Sequence, residues 1–301
     1  METSATEPAP PPNRALRFPL VAAAAIALLA IVETTVALVA PSLAPTDADW
    51  VAAAAAVRAG FHPGDLIVAA PGWADPILRL HLGDLIPPEM AARMDDDRFA
   101  RVWEVGQRGA RAAAAKGATV ARDERFGHLR VRLLERAAET VTYDFATHRA
   151  DARVTWHDAR GASVACAPAG ERVSCPGAGS ILFHPQIVEV DQKLREALLT
   201  EPLRNGTVAI EFPAVPLGRA LVIATGLHDT WMRKAARGTV TARVTVGAET
   251  TVLPVTTDDS GWTRTRIDTS ARAGQVAPVR LELDSANPYD RFFAFAAEAR
   301  R

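Results

Sequence analysis

Aromatic and polar side chains gather in three predicted loops of the C-terminal half. The segments GLHDTW, SGW and NPYDRFF place large rings beside carboxylate, imidazole and guanidinium groups. Aromatic faces can stack on pyranose rings while planar polar side chains bind the hydroxyls. The alternative is core packing, because a buried aromatic side chain removes about 150–250 Å² from water. The candidate ligand-binding residues are Trp231, Trp262, His228, Asp229, Asp258, Arg264 and Tyr289.

A second candidate site is the loop PGWADP at residues 71–76. It follows the apolar run LIVAA, and parallel α/β sheets bind ligands at the carboxyl ends of their strands. We therefore name Trp73 and Asp75 as further candidate binding residues. Their structural alternatives are a Trp73 that packs over the sheet edge and an Asp75 that caps the next helix.

Patterns for metal binding and covalent catalysis are weak or missing. Two His-x-x-Asp pairs, His62/Asp65 and His81/Asp84, arise easily by chance. The three aspartates at 95–97 lack the glycine and distal glutamate of a calcium loop, so we expect a solvated helix end there. The sequence has no G-x-S-x-G elbow, no H-E-x-x-H motif and no glycine-rich phosphate loop. We predict no catalytic residue, no metal ion and no cofactor.

The two cysteines, Cys166 and Cys175, flank a predicted turn in the segment CAPAGERVSC. A metal pair is the alternative to a disulfide, but no other Cys or His lies at ligand spacing. We predict a structural disulfide, which would contribute at most about 2–3 kcal/mol by closing so short a loop. Such a bond is typical of extracytoplasmic compartments.

The elements that must position these residues change character along the chain. Residues 46–142 alternate helices with apolar strands, which predicts a small α/β domain. Its helices are expected at 47–58, from residue 87 onward and at 106–117, and its strands at LIVAA, FARVWEV and HLRVRLLER.

Residues 143–301 consist of short alternating segments separated by Gly, Pro, Asn and Asp turns. This spacing is typical of a β-sandwich, most simply a jelly roll. The expected strands are 153–157, 207–212, 221–225, 239–246, 250–255, 263–268 and 279–283.

An apolar run at residues 18–40 is long enough to cross a bilayer, which takes about 20 residues. Arg14 and Arg17 precede it, so the positive-inside rule keeps residues 1–17 in the cytoplasm as a disordered tail. Glu33 opposes insertion by about 2.5–3.5 kcal/mol if charged at the centre, although it lies in the outer half. A cleaved signal peptide is the alternative, and either interpretation exports the remainder.

The segment from GDLIVAAPGWADP to DDDRFARVWEV resembles the extracytoplasmic soluble region of bacterial GT-C glycosyltransferases, the polyprenyl-phosphate-sugar-dependent enzymes related to protein mannosyltransferases. Asp65, Pro71, Arg101 and Trp103 match the pattern of that region. The C-terminal part is similar to jelly-roll appendages of bacterial envelope proteins. Those enzymes carry many spans and an acidic residue in their first outer loop, whereas one span is predicted here, so no catalytic residue is carried over.

These features predict a single-pass protein of the bacterial inner membrane, with most of the chain extracytoplasmic. Its 301 residues carry a net charge of −1 with both signs interspersed, which offers no surface for nucleic acid. The expected role is non-catalytic: binding a glycan or lipid-linked sugar, or scaffolding a membrane glycosyltransferase. The alternatives are an envelope hydrolase or transferase acting at the Trp73–Asp75 loop, and a purely structural partner of a multi-span protein.

Overall fold

The computed structural model describes residues 17–39, 42, 44–228, 239–254, 261–288 and 291–301. Its first element is helix α1 (Arg17–Val39), which buries none of its side chains from residue 21 to 39. Within these described ranges, α1 is the one helix long and apolar enough to cross a membrane. A signal sequence near an N-terminus meets the same criteria of length and composition.

An α/β lobe follows, built on a four-stranded sheet of order β1-β2-β4-β3. Strand β1 is fully buried and parallel to β2, as the run LIVAA predicts, and the other pairs are antiparallel. The elements are α2 (Asp47–Gly60), β1 (Leu66–Ala70), α3 (Asp75–Leu82), α4 (Pro88–Ala91), β2 (Arg101–Gln107), β3 (Thr119–Phe126) and β4 (Leu129–Glu135).

The helix predicted at 106–117 is wrong. Strand β2 continues to Gln107, and Arg108 and Gly109 then turn the chain with φ angles of 53° and 76°. The following segment covers the open face of the sheet over Glu104, whose side chain is fully buried. Glu104 accepts a 2.6 Å hydrogen bond from the backbone N–H of Ala112. This tertiary contact outweighs the helix propensity of the alanines.

Two six-stranded sheets form the sandwich. The first has the order β11-β12-β19-β14-β17 with β5 also paired to β19, and the second has the order β16-β15-β18-β13-β6-β7. The strands are β5 (Val141–Asp144), β6 (Arg153–Asp158), β7 (Ser163–Ala165), β8 (Ala167–Ala169), β9 (Arg172–Cys175), β10 (Gly179–Leu182), β11 (His184–Val190), β12 (Lys193–Thr200), β13 (Gly206–Pro216), β14 (Ala220–Leu227), β15 (Val240–Val246), β16 (Glu249–Leu253), β17 (Thr263–Asp268), β18 (Val276–Ser285) and β19 (Phe293–Arg300).

The predicted fold class, a small α/β unit followed by a β-sandwich, is confirmed. Each of the seven strands predicted for the sandwich overlaps an observed one. The sequence pattern misses β3 of the α/β lobe, and β5, β7–β12 and β19 of the sandwich. The division of the chain at residues 142 and 143 stays a prediction, and strand β5, which spans that point, pairs with β19.

The predicted disulfide is confirmed between Cys166 and Cys175. It ties the start of β8 to the end of β9 in a small three-stranded sheet of order β10-β9-β8. Cys175 is 1% exposed and belongs to the main core of the sandwich. The bond therefore cross-links two neighbouring strands of this small sheet, and the packing of Cys175 joins the sheet to the main core.

Candidate ligand-binding cleft

A cleft of about 970 Å³ lies between the α/β lobe and the sandwich. The lobe contributes the start of α3 and residues 91–97, and the sandwich contributes the β11–β12 turn and Arg264. Met94 packs among apolar side chains of β11, β12, β14 and β19. The backbone N–H of Glu196 donates to the Ala92 carbonyl at 2.8 Å. These contacts hold the two parts together beside the cleft.

Asp75 reaches the cleft through the turn that follows β1. Residues Gly72–Ala74 form one 3-10 turn, and α3 begins at Asp75. The Asp75 carboxylate accepts a 2.5 Å hydrogen bond from Arg79 Nε one helical turn later, with the two side chains 39% and 40% exposed. No side-chain hydrogen bond caps α3, so the alternative capping role for Asp75 is wrong.

Trp73 does not pack over the sheet edge. The residue is 62% exposed, so its alternative structural role is wrong as well. It lies two residues before Asp75 but does not line the cleft. The parts of the Trp73–Asp75 loop are thus separated in space, with the carboxylate in the cleft and the indole on the outer surface.

The aspartates at 95–97 form ion pairs, so the expectation of a solvated helix end is wrong. Asp95 lies 2.9 Å from Arg264 Nε, and Asp97 accepts a 2.6 Å hydrogen bond from Arg264 Nη2. Asp96 pairs with Arg93 at 2.6 Å. Arg264, predicted from the sandwich sequence as a ligand-binding residue, is thus held in the wall of the cleft by two carboxylates of the α/β lobe.

Arg300 is buried behind this wall, where it contacts Asp95. Its side chain is 1% exposed and contacts Asp95 at 3.0 Å, Glu139 at 3.1 Å and Glu298 at 2.6 Å. Burial opposes ionisation of Asp95, but Arg300 and Arg264 hold its pKa below the ordinary value of 3.8. Burial also opposes the charge on Arg300, yet the three carboxylates together raise its pKa. The junction is therefore a buried network of opposite charges.

The opposite wall is the turn between β11 and β12. Asp191 and Gln192 adopt left-handed backbone conformations with φ of 51° and 60°. Trp262 Nε1 donates a 2.9 Å hydrogen bond to the Lys193 carbonyl, and the guanidinium of Arg195 lies 5.4 Å from an indole ring centre. Trp262 thus positions the turn and is partly buried against it.

Positive charge exceeds negative charge in the cleft. Lys116 and Lys193, two of the three lysines in the chain, are exposed there, and no ion pair is found for either within the described ranges. The lining has four acidic side chains, Asp75, Asp95, Asp96 and Asp97, and seven basic ones, Arg79, Arg93, Lys116, Arg136, Lys193, Arg195 and Arg264. The cleft thus favours a ligand with negative charge.

Sequence reasoning missed most of these basic residues. Arg79 follows Asp75 by four positions, the spacing of an ion pair along a helix, but the sequence pattern predicts no helix at α3. The two lysines also stand out in a chain whose basic residues are nearly all arginines. Arg136 and Arg195 carry no such signal, because their partners are backbone carbonyl groups, including Phe99 O at 3.0 Å from Arg136 Nε.

The other predicted binding residues lie elsewhere in the fold or outside the described residues. His228 follows β14, where its backbone N–H donates to the Phe292 carbonyl at 2.9 Å, and it does not line the cleft. Four more, Trp231, Asp229, Asp258 and Tyr289, lie outside the described residues. Of the nine candidates, the cleft brings together Asp75 and Arg264, with Trp262 behind the turn.

The described residues contain no group of three or more His, Cys, Asp or Glu side chains placed to hold a metal ion. Of the two His-x-x-Asp pairs, the first forms a turn in which the His62 backbone N–H donates to Asp65 at 2.9 Å. In the second, the Asp84 carboxylate accepts from Arg58 at 2.5 Å. Both aspartates therefore have structural partners.

No protein-family model matches the chain, and no curated protein matches it. Similar solved structures include a carbohydrate-binding module of Clostridium perfringens ZmpB in complex with GlcNAc (TM-score 0.32, 14% identity, 50% of this chain and 37% of that one). Another is a carbohydrate-binding module of Clostridium perfringens GH95 in complex with methyl-galactose (0.27, 11%, 48% and 79%). A third comes from work on carbohydrate-binding modules of the β-sandwich superfamily (0.31, 9%, 56% and 65%).

These similarities carry no argument about function, because every TM-score is below 0.5. The match also spans only 37% of the ZmpB chain. The assignment to the β-sandwich class thus depends on the strand pairing of this chain. The comparisons do not show a relationship to the GT-C glycosyltransferases.

Proposed function

We propose that this chain is a non-catalytic, membrane-anchored extracytoplasmic protein that binds an acidic glycan in the cleft between its α/β lobe and its sandwich. The observation that carries the proposal is the charge of the cleft, where seven basic side chains face four acidic ones. A uronic acid or a sugar phosphate, including a lipid-linked one, supplies the complementary negative charge.

The size and chemistry of the cleft support a sugar ligand. A volume of about 970 Å³ lies at the upper end of the range for small-molecule sites. Arg79, Asp75 and Arg264 are planar side chains with 35–40% of their surface exposed. Such groups can exchange hydrogen bonds with neighbouring hydroxyls without first leaving a buried position.

The proposed location is supported by helix α1 and the disulfide. The helix is long and apolar enough to cross a membrane, and disulfides persist in oxidising compartments outside the cytoplasm. Arg14 and Arg17 on the N-terminal side favour a cytoplasmic N-terminus. The bacterial inner membrane is part of the proposal on these grounds.

A binding experiment tests the proposed ligand class. The full chain, reconstituted in nanodiscs, would be titrated by calorimetry with pairs of polysaccharides that share a neutral backbone and differ in uronic acid or phosphate content. We expect binding of the acidic member only, and weaker binding as the salt concentration rises. Equal binding of both members, or of neither, would contradict the proposal.

Variants locate the site. Lys116→Ala and Lys193→Ala should each weaken binding about 5-fold, because an exposed charge contact contributes up to about 1 kcal/mol. Arg160→Ala is the matched control, since Arg160 is exposed in the β6–β7 turn, away from the cleft. If Arg160→Ala has the same effect as the lysine variants, binding depends on general surface charge and not on the cleft.

A role as scaffold for a membrane glycosyltransferase predicts a different result. The full chain would then co-purify with a multi-span protein and show no saturable glycan binding. An enzymatic role at the Trp73–Asp75 loop predicts turnover of a bound glycan that Asp75→Asn abolishes without loss of binding.

A further inference from the structure

Helix α3 presents an exposed apolar stripe. Trp73 in the preceding turn, Ile77 and Leu80 follow one another at intervals of four and three residues, with exposures of 62%, 42% and 79%. The opposite side of the helix carries Leu78 and Leu82, which are fully buried in the core of the lobe. The helix is therefore apolar on both its core side and its outer side.

Helix α2 is apolar on its outer side as well. Val51 is 55% exposed. Small apolar side chains continue this side along the helix at Ala48, Ala52, Ala55 and Ala59, all of them exposed. The core side is formed by Trp50, Ala53, Ala54 and Val57. We call the two exposed sides together, Ala48, Val51, Ala52, Ala55 and Ala59 of α2 with Trp73, Ile77 and Leu80 of α3, the helical apolar face.

The two helices are neighbours, so their exposed sides belong to one region of the lobe. The Trp50 and His81 rings stack with centroids 6.0 Å apart, and His81 Nε2 lies 3.5 Å from Asp47. Arg58 donates two hydrogen bonds to the Asp84 carboxylate at 2.5 and 2.7 Å. The charged residues beside this region are thus paired with each other.

The chain length between α1 and α2 restricts where this region can lie. Helix α1 ends at Val39 and α2 begins at Asp47. The seven intervening residues span at most about 25 Å when fully extended. The last turn of α3 is beside the first turn of α2, because His81 contacts Asp47. An anchored α1 therefore keeps the apolar stripe of α3 close to the bilayer surface.

We infer that the helical apolar face docks on the lipid bilayer, with Trp73, Ile77 and Leu80 in the interfacial region. Tryptophan is enriched at that depth, and Leu and Ile supply apolar area to bury below the headgroups. The inference depends on the anchor in the proposed function and not on glycan binding. Docking would fix the orientation of the lobe, and so of the cleft, relative to the membrane.

Site-directed labelling tests the docking. The two native cysteines form the disulfide, so Leu80→Cys in the full chain introduces a single free thiol for a fluorescent label. The protein would be reconstituted in phosphatidylethanolamine/phosphatidylglycerol vesicles containing a lipid with a nitroxide near its headgroup. Val276→Cys, on the sandwich and 65% exposed, is the matched control. Vesicle flotation reports the anchor separately.

We expect the nitroxide lipid to quench the Leu80→Cys label severalfold more than the Val276→Cys label. Ile77→Asp in the Leu80→Cys background should reduce this quenching while flotation is unchanged. If both labels are quenched equally by aqueous iodide and neither by the lipid, the inference is wrong. A pyrene label at Leu80→Cys that forms excimers would overturn it too, because a second copy would then cover the face. Failure of flotation alone would refute the anchor.

Discussion

Replacing Arg300 by methionine removes a buried positive charge that contacts three carboxylates. Asp95, Glu139 and Glu298 lie 3.0, 3.1 and 2.6 Å from its guanidinium, and their side chains are 12%, 26% and 5% exposed. Methionine fills most of the same space without charge, so the main effect is the loss of the ion pairs. Breaking a buried pair by removing one partner costs about 3–5 kcal/mol.

We therefore expect Arg300→Met to lower the free energy of unfolding of the full chain by about 3–5 kcal/mol at pH 7. This is a large part of the 5–15 kcal/mol that is roughly typical of folded proteins. Urea unfolding followed by tryptophan fluorescence and circular dichroism measures it. Arg266→Met is the control, because Arg266 pairs with Glu139 at 2.6 Å but is 45% exposed. Its cost should be about 1 kcal/mol or less.

The stability lost in Arg300→Met should also depend on pH, in a direction that the pKa of Asp95 determines. The pKa of Asp95 is lowered in the folded state, so its pairing stabilises the fold fully above the ordinary value of 3.8 and less as the pH falls through the lowered pKa. The difference between wild type and Arg300→Met should thus shrink below pH 3.8. A loss under about 1 kcal/mol at pH 7, or a loss that grows toward acid pH, would refute the reasoning.

Three further changes test other parts of the fold, each by urea unfolding. Cys166→Ser with Cys175→Ser should lower the free energy of unfolding by at most about 2–3 kcal/mol, and a reductant should then have no added effect. Trp103→Phe should cost about 1–3 kcal/mol, because it removes the 2.9 Å hydrogen bond to Asp65, a carboxylate only 2% exposed; no change would contradict this. Gly218→Ala should cost about 1–3 kcal/mol, because its Cβ would collide with the backbone of β19; an unchanged stability would show that the turn can move.

The alternation of apolar and polar residues predicted the strands that have one buried side and one partly exposed side. Strand β15 alternates between buried and half-buried positions along its length, which is the period-2 pattern that the sequence shows. Strand β19 gives no such pattern because all eight of its residues are buried. One side faces the sandwich core, and the other packs against Met94 of the α/β lobe, together with apolar side chains of the neighbouring strands β12 and β14. A strand covered on both sides carries no alternation.

The cleft could be predicted only in part. Asp75 was predicted because it follows a buried strand, and ligands bind at the carboxyl ends of parallel strands. This rule uses the local sequence alone. The contacts of Asp95 with Arg264 and Arg300 join positions far apart in the chain, and no local pattern records such a pairing. The triplet at 95–97 looks the same in sequence whether it is solvated or paired. The aspartates are paired because the sandwich packs against the α/β lobe and brings Arg264 and Arg300 to them.

The central place of β19 has a consequence for the timing of folding. Strand β19 pairs with β5, β12 and β14, so its sheet is incomplete until residues 293–300 have been synthesised. Asp144 of β5 pairs with Glu298, about 150 residues later, and at about 5–20 residues per second it waits roughly 8–30 s for that partner. The edges of β12 and β14 that pair with β19 stay open for a shorter time, from the synthesis of each strand until that of β19. The sandwich must therefore close late, after most of the chain has left the ribosome.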